Sequence, residues 1–191
     1  MPSQARPYAS FSAPAARTAL AAKTIRYYAH TLPGLEEIAW LEIRDRLHRA
    51  NFVDTLFIKD ERGIVIFDYA GSPKDLLALR TTEDVFLQAV FVDKVQRGRR
   101  IMSQAHDLVW KGETFGQATN NIMRFRAFSK PPSYRLNTHI AGRHPFKIRD
   151  LSQAVLAGMG KRLPRWQPQA HGGQVDFDVN LLGSNLLIGI R

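Results

Sequence analysis

The sequence predicts an α+β fold built as two consecutive units. Residues 25–95 read as strand, helix, strand, strand, helix, strand. Roughly the last sixty residues read as strand, basic turn, helix and hairpin. The chain is 191 residues long, 45% hydrophobic and 10% aromatic, which is enough apolar material for a buried core.

The first strand is Ile25–Leu32, rich in aromatic and β-branched residues. Pro33 suits the opening of a helix that runs to about Arg49. Leu35, Ile38, Leu41 and Leu47, with Trp40 beside them, supply its apolar stripe. Glu36 and Glu37 stand in its first turn and Arg46, His48 and Arg49 in its last, an order that complements the helix dipole. Two strands follow near 53–59 and 63–69, joined by Asp60-Glu61-Arg62-Gly63. Ser72 is placed to cap a second helix, with Pro73 at its first position, Asp75 reaching back, and Leu76, Leu77 and Leu79 on the buried side. Val85–Val92 is nearly all apolar, as a strand covered on both faces would be. This order is that of a ferredoxin-like βαββαβ unit, here assigned to residues 25–95.

Residues 99–112 carry Ile101, Ala105, Leu108 and Val109 on one helical face. Residues 113–123, with two glycines nearby and two asparagines, show no clear period and read as a loop. Met123-Arg124-Phe125-Arg126-Ala127-Phe128 alternates basic with apolar, which suits either a strand with a basic face or an exposed arm, ended by Pro131-Pro132. Tyr134–Ile140 is a strand, residues 141–146 a turn, and Leu151, Val155, Leu156 and Leu163 mark a helix ended by Pro164. Gly158 and Gly160 inside that helix cost stability unless something packs closely against them. Gln174–Leu181 alternates, with Val175, Phe177 and Val179 on one face and Asp176, Asp178 and Asn180 on the other. Gly183-Ser184-Asn185 turns the chain into the returning strand 186–191. Residues 1–24 contain three bases and no acid, a weak transit-peptide pattern or a disordered leader, and the leader is the expectation.

The net charge of +10 is concentrated. Between Lys94 and His171 stand fifteen Lys and Arg against three acids, whereas the segments on either side each carry one surplus acid. A field this localised points to a polyanionic partner, with RNA or DNA the first candidate, and marks the near-neutral first unit as scaffold. The alternating Arg and Phe of 124–128 suit backbone contact with stacking, although the phenylalanines fit a core equally. No cysteine is present, which excludes disulfides, thiolate zinc sites and a cysteine nucleophile and fits a reducing cytoplasm, the expected location. No run of eighteen apolar residues suggests a membrane span. The six histidines lack metal-ligand spacing, no glycine-rich nucleotide loop occurs, and no serine sits in a nucleophile elbow. No catalytic residue, metal site or cofactor site is expected in this chain.

YRLNTHIAG, the GRHPFK turn, the helix after it, and VDFDVNLLGSNLLIGIR resemble the THUMP domain, an RNA-binding module of RNA-modifying enzymes. TLPGLEEIAWLEI and LLALRTTEDVF are similar to the ferredoxin-like domain that precedes THUMP in SAM-dependent RNA methyltransferases. The resemblance covers about residues 25–191, with 96–191 as the THUMP-like unit. It implies a grip on the acceptor end of tRNA by Arg143, His144, Lys147 and Arg149. Arg135 joins that set, and Arg124, Arg126 and Lys130 extend the track. Lys161, Arg162 and Arg165 fit either RNA contact or simple compensation of the helix dipole. The family's SAM domain and its Asn/Asp-Pro-Pro-Tyr-type motif have no counterpart here, because Pro131-Pro132 has the wrong neighbours. The resemblance therefore implies the RNA-binding part of a tRNA or RNA (guanine) methyltransferase, with SAM held by a catalytic domain supplied in cis or in trans. A non-catalytic basic adaptor for nucleic acid or an acidic protein, and the THUMP part of a thiouridine or pseudouridine synthase, stand as alternatives.

Overall fold

A computed structural model describes residues 24–58 and 62–191. All but the last residue of the expected leader, and Asp60 and Glu61 of the expected turn, lie outside the described residues. The fold is α+β, and the described residues form eight strands in one sheet: β1 (Ile25–Thr31), β2 (Asn51–Ile58), β3 (Arg62–Tyr69), β4 (Asp84–Val92), β5 (Ser133–Ala141), β6 (Gln167–Pro168), β7 (Val175–Leu182) and β8 (Asn185–Ile190). Four helices accompany them: α1 (Glu36–Arg46), α2 (Arg100–Trp110), α3 (Glu113–Phe125) and α4 (Ile148–Arg162). The strand order is β2-β3-β1-β4-β8-β7-β5-β6. The first four strands have the order of a βαββαβ unit, and antiparallel pairing of β4 with β8 carries the sheet onward into the strands of the second half.

The helices pack on one face, over Tyr27, Ala29, Phe67, Leu87, Phe177, Val179 and Ile188. The other face curls in on itself. Neighbouring strands are about 4.8 Å apart, so β3 and β7, four steps apart in the order, would be about 19 Å apart in a flat sheet. Yet Arg62 Nη1 on β3 donates to Asn180 Oδ1 on β7 at 3.0 Å. Tyr28 Oη on β1 likewise donates to Asp178 Oδ2 on β7 at 3.3 Å. The curl buries Asp178 and Asn180 although no helix among the described residues covers them. Asn180 also bonds Asp178, and His30 Nε2 lies 3.4 Å from Asp178 Oδ2.

Four local expectations are corrected. Residues 113–123 are helix, not loop: Phe115, Ala118, Thr119 and Ile122 form a buried i, i+3, i+4, i+7 face. Gly116 sits in this helix where the Arg162 guanidinium fills the space a Cβ would need, so packing overrides propensity. The helix continues through Met123–Phe125, which removes the strand or arm expected at 123–128. In α1 the buried line is Ala39, Ile43 and the following Leu47, while Ile38 and Leu41 are exposed. The segment after Ser72 is a short 3-10 helix, Pro73–Ala78, with no buried residue, and Leu77 is 85% exposed. Its cap is as expected: Ser72 Oγ accepts from the Lys74 amide at 3.3 Å, and Asp75 Oδ2 from the Ser72 amide at 3.2 Å.

Candidate nucleic-acid interface

The basic turn begins where β5 ends. Gly142, at φ 100°, turns the chain away from Ala141 in a conformation that favours glycine. His144 Nε2 lies 3.2 Å from the Ala141 carbonyl and its ring packs on Phe146, centroids 5.2 Å apart. The Lys147 amide donates to Asp150 Oδ2 at 3.0 Å, so this acid caps α4. Ser152 Oγ donates to Thr138 Oγ1 at 2.9 Å, folding the start of α4 back over the end of β5. Arg143, Lys147 and Arg149 are all exposed. None of them has an ion-pair partner among the described residues.

Two further segments converge here. The Gly183 amide of the β7–β8 turn donates to the Ala141 carbonyl at 3.0 Å, and Ser184 in the same turn accepts from the Val95 amide at 2.8 Å. The β4–α2 connection is thereby seated beside the basic turn. Helices α2 and α4 run side by side in the same direction, since His106 abuts Gly158 and, one turn onward, the Trp110 carbonyl accepts from Arg162. Their N-termini therefore lie at the same end, with Lys94, Arg97, Arg99 and Arg100 exposed on the approach to α2. These four lie in the basic block but outside the residues singled out from the sequence. A signal was available: α2 has no acid in its first turn, and arginines at that end oppose the dipole by about 0.3–1 kcal/mol each.

The remaining candidates sit at the opposite end. Helix α4 has 15 residues, which places its C-terminus about 22 Å from the turn. There Lys161 Nζ lies 4.3 Å over the Trp110 ring, shared with Lys111, and Arg162 Nη1 donates to the Trp110 carbonyl at 3.4 Å. Arg126 Nη1 donates to the Gln174 carbonyl at 2.9 Å. Arg135 makes a two-pronged pair with Asp176, at 2.9 and 3.0 Å, and Arg191 binds the same carboxylate at 2.8 Å. Burial pushes the Asp176 carboxyl up, but the two arginines outweigh it and hold the group below its ordinary value. Arg124, Lys130 and Arg165 are exposed near this end. The structure thus gathers Arg143, His144, Lys147 and Arg149, and separates them from the other seven candidates.

The second constellation of polar groups, on the curled face, is buried: Tyr28, His30, Asp178 and Asn180 are nearly inaccessible. Burial foremost, with Arg62, His139 and Arg191 nearby, pushes His30 down to about 3 and so keeps it neutral. Among the described residues no group of three or more His, Cys, Asp or Glu could hold a metal ion. No helix of the described residues is long and apolar enough to cross a membrane.

No protein-family model matches the chain, and no curated protein matches it in sequence. Solved structures do match in fold. TrmN from Thermus thermophilus superposes with a TM-score of 0.63 over 87% of this chain and 45% of its own, at 16% identity. PH1313 from Pyrococcus horikoshii Ot3 matches at 0.55 over 87% and 54%, at 11% identity. A 4-thiouridine synthetase solved with RNA and bound ATP matches at 0.55 over 87% and 41%, at 9% identity. At these identities the likeness is one of fold, and the chain spans about half the length of the structures it matches.

Proposed function

We propose that this chain is an RNA-binding module that holds the acceptor end of tRNA for a SAM-dependent tRNA or RNA (guanine) methyltransferase domain, joined in cis or acting in trans. The observation that carries the reading is the cluster of Arg143, Lys147 and Arg149 on a capped turn, exposed and without carboxylate partners among the described residues. Such cations suit phosphate oxygens, which set position and not sequence. The His144–Phe146 ring pair beside them, tilted by 37°, offers aromatic surface for an unpaired base. The fold shared with a synthetase captured on RNA and with TrmN supports the reading. On this reading SAM is held by the other domain, and these residues bind and orient the RNA without performing a chemical step. The THUMP part of a thiouridine synthetase is the second reading, favoured by the match to that enzyme's structure.

The test is binding to a labelled full-length tRNA and to the same tRNA without its single-stranded 3′ end, at two salt concentrations, for the native chain and for Arg143→Glu/Lys147→Glu. A preference for the intact end, with the variant weaker by about ten- to a hundredfold, supports the proposal. Equal, salt-sensitive binding to both RNAs refutes end recognition and favours the general polyanion adaptor.

A further inference from the structure

The turn at 143–149 is one side of a larger cationic surface. The other side is the β4–α2 connection, where Lys94, Arg97, Arg99 and Arg100 all have exposed side chains and no ion-pair partner among the described residues. This connection is held in shape. The Val95 amide donates to Ser184 O at 2.8 Å and the Gln96 amide to Gln104 Oε1 at 2.8 Å. Lys94 takes a left-handed φ of 61°, which a non-glycine residue adopts only where its surroundings impose it. The same hairpin turn that anchors Val95 also binds the end of β5, so both cationic segments are fixed to one support.

Parallel packing sets the spacing between the two sides. Packed helices lie about 8–10 Å apart, so Arg99 and Arg100 at the start of α2 stand roughly one helix diameter from Lys147 and Arg149 at the start of α4. Long side chains from both rows reach a strand lying between them. Stability alone gives no reason for this charge. α1, α3 and α4 carry acids in their first turns, while α2 has none and opens on two arginines. In sequence Asp93 adjoins one row and Asp150 the other, and Asp150 is engaged in capping α4.

We propose that Lys94, Arg97, Arg99 and Arg100 form a second phosphate-contacting arm, and that an RNA backbone runs between this arm and Arg143, Lys147 and Arg149. The proposal rests on the RNA-binding reading above and adds to it a second row of contacts that carries affinity without reading sequence.

The experiment measures tRNA affinity as a function of salt for the native chain, for Arg97→Glu/Arg99→Glu/Arg100→Glu, and for the same three positions changed to Ala. A control, Arg44→Glu/Lys74→Glu/Arg80→Glu, makes the same charge change in the first unit. Each lost phosphate contact lowers the steepness of log K against log salt by about 0.7–0.9. The arm variants should bind at least about tenfold more weakly near 0.1 M salt, with a slope shallower by roughly 2, while the control stays within about threefold of the native chain. Thermal unfolding should not fall for the Glu variant, since acids at a helix start suit the dipole. Native affinity and slope in the arm variants, with binding lost in Arg143→Glu/Lys147→Glu, would overturn the second arm and leave the RNA-binding reading standing. A control that loses as much as the arm would also overturn it, since net charge alone would then explain the effect. Native binding in both the arm and the turn variants would overturn both readings.

Discussion

Gly158 and Gly160 lie two residues apart in α4, and the structure predicts that changing each to Ala has different consequences. Helix propensity alone gives both changes the same gain, up to about 1 kcal/mol. Gly160 is exposed, and a Cβ added there has nothing within 4 Å, so the full gain should appear. At Gly158 an added Cβ would stand 2.6 Å from the His106 carbonyl oxygen and 3.2 Å from Val109 Cβ. A Cβ does not sit that close to backbone oxygen, so α2 and α4 must separate, and overpacking of this kind costs about 1–3 kcal/mol. The net for Gly158→Ala is between no change and about 2 kcal/mol of destabilisation, and the two variants should differ by about 1–3 kcal/mol. In a chain of this size that is a Tm difference on the order of 2–12 °C. Urea unfolding followed by far-UV circular dichroism measures it directly. If Gly158→Ala stabilises as much as Gly160→Ala, the α2–α4 contact is absent. The two helix starts, and hence the two cationic rows, would then not be held at one end.

The curled face should make stability sensitive to mild acid. His30 stays neutral in the folded chain down to about 3 but titrates near 6.5 when unfolded, so the unfolded state binds more protons in between and stability falls as pH drops through that window. The loss is about 2 kcal/mol by pH 5; Asp178, whose carboxyl burial pushes up, acts in the opposite direction as pH falls. The groups facing His30 include Arg62, His139, Arg191 and Asp178. His30→Gln should flatten urea midpoints between pH 7 and 5, and an unchanged slope would refute the assignment. Asp176→Asn should remove the shared partner of Arg135 and Arg191 and cost about 1 kcal/mol, since both arginines are a third or more exposed and screened. The Asp176 contribution is present above an unfolded value near 4 and is lost as pH falls through its lower folded value, so native and variant stabilities should converge as pH falls below 4. Curves that stay parallel to pH 2 would show that the carboxylate is not held by these arginines.

The sequence by itself determined most of the strands, because alternation and β-branched content are local signals that survive in any tertiary setting: Ile25–Thr31, Val175–Leu182 and their main partners appear within a residue or two of expectation, while the two-residue β6 is not among the expected strands. It also fixed the Ser72-Pro73-Lys74-Asp75 cap and the sign of the surface, since neither depends on distant residues. α3 was readable in principle from Phe115, Ala118, Thr119 and Ile122, but Gly116 and the asparagines argue against a helix locally, and the Arg162 guanidinium that fits over Gly116 comes from 46 residues away. Likewise Ala39 and Ile43, not the larger Ile38 and Leu41, face the core, a choice of face that the sheet makes. Only the tertiary structure decided which cations share a surface. It placed Lys94–Arg100 beside Arg143–Arg149 and moved Lys161, Arg162 and Arg165 to the far end of α4. Both outcomes follow from the parallel packing of α2 on α4 and from a hairpin turn that bonds two distant segments, contacts between residues far apart in the chain that local periodicity does not report.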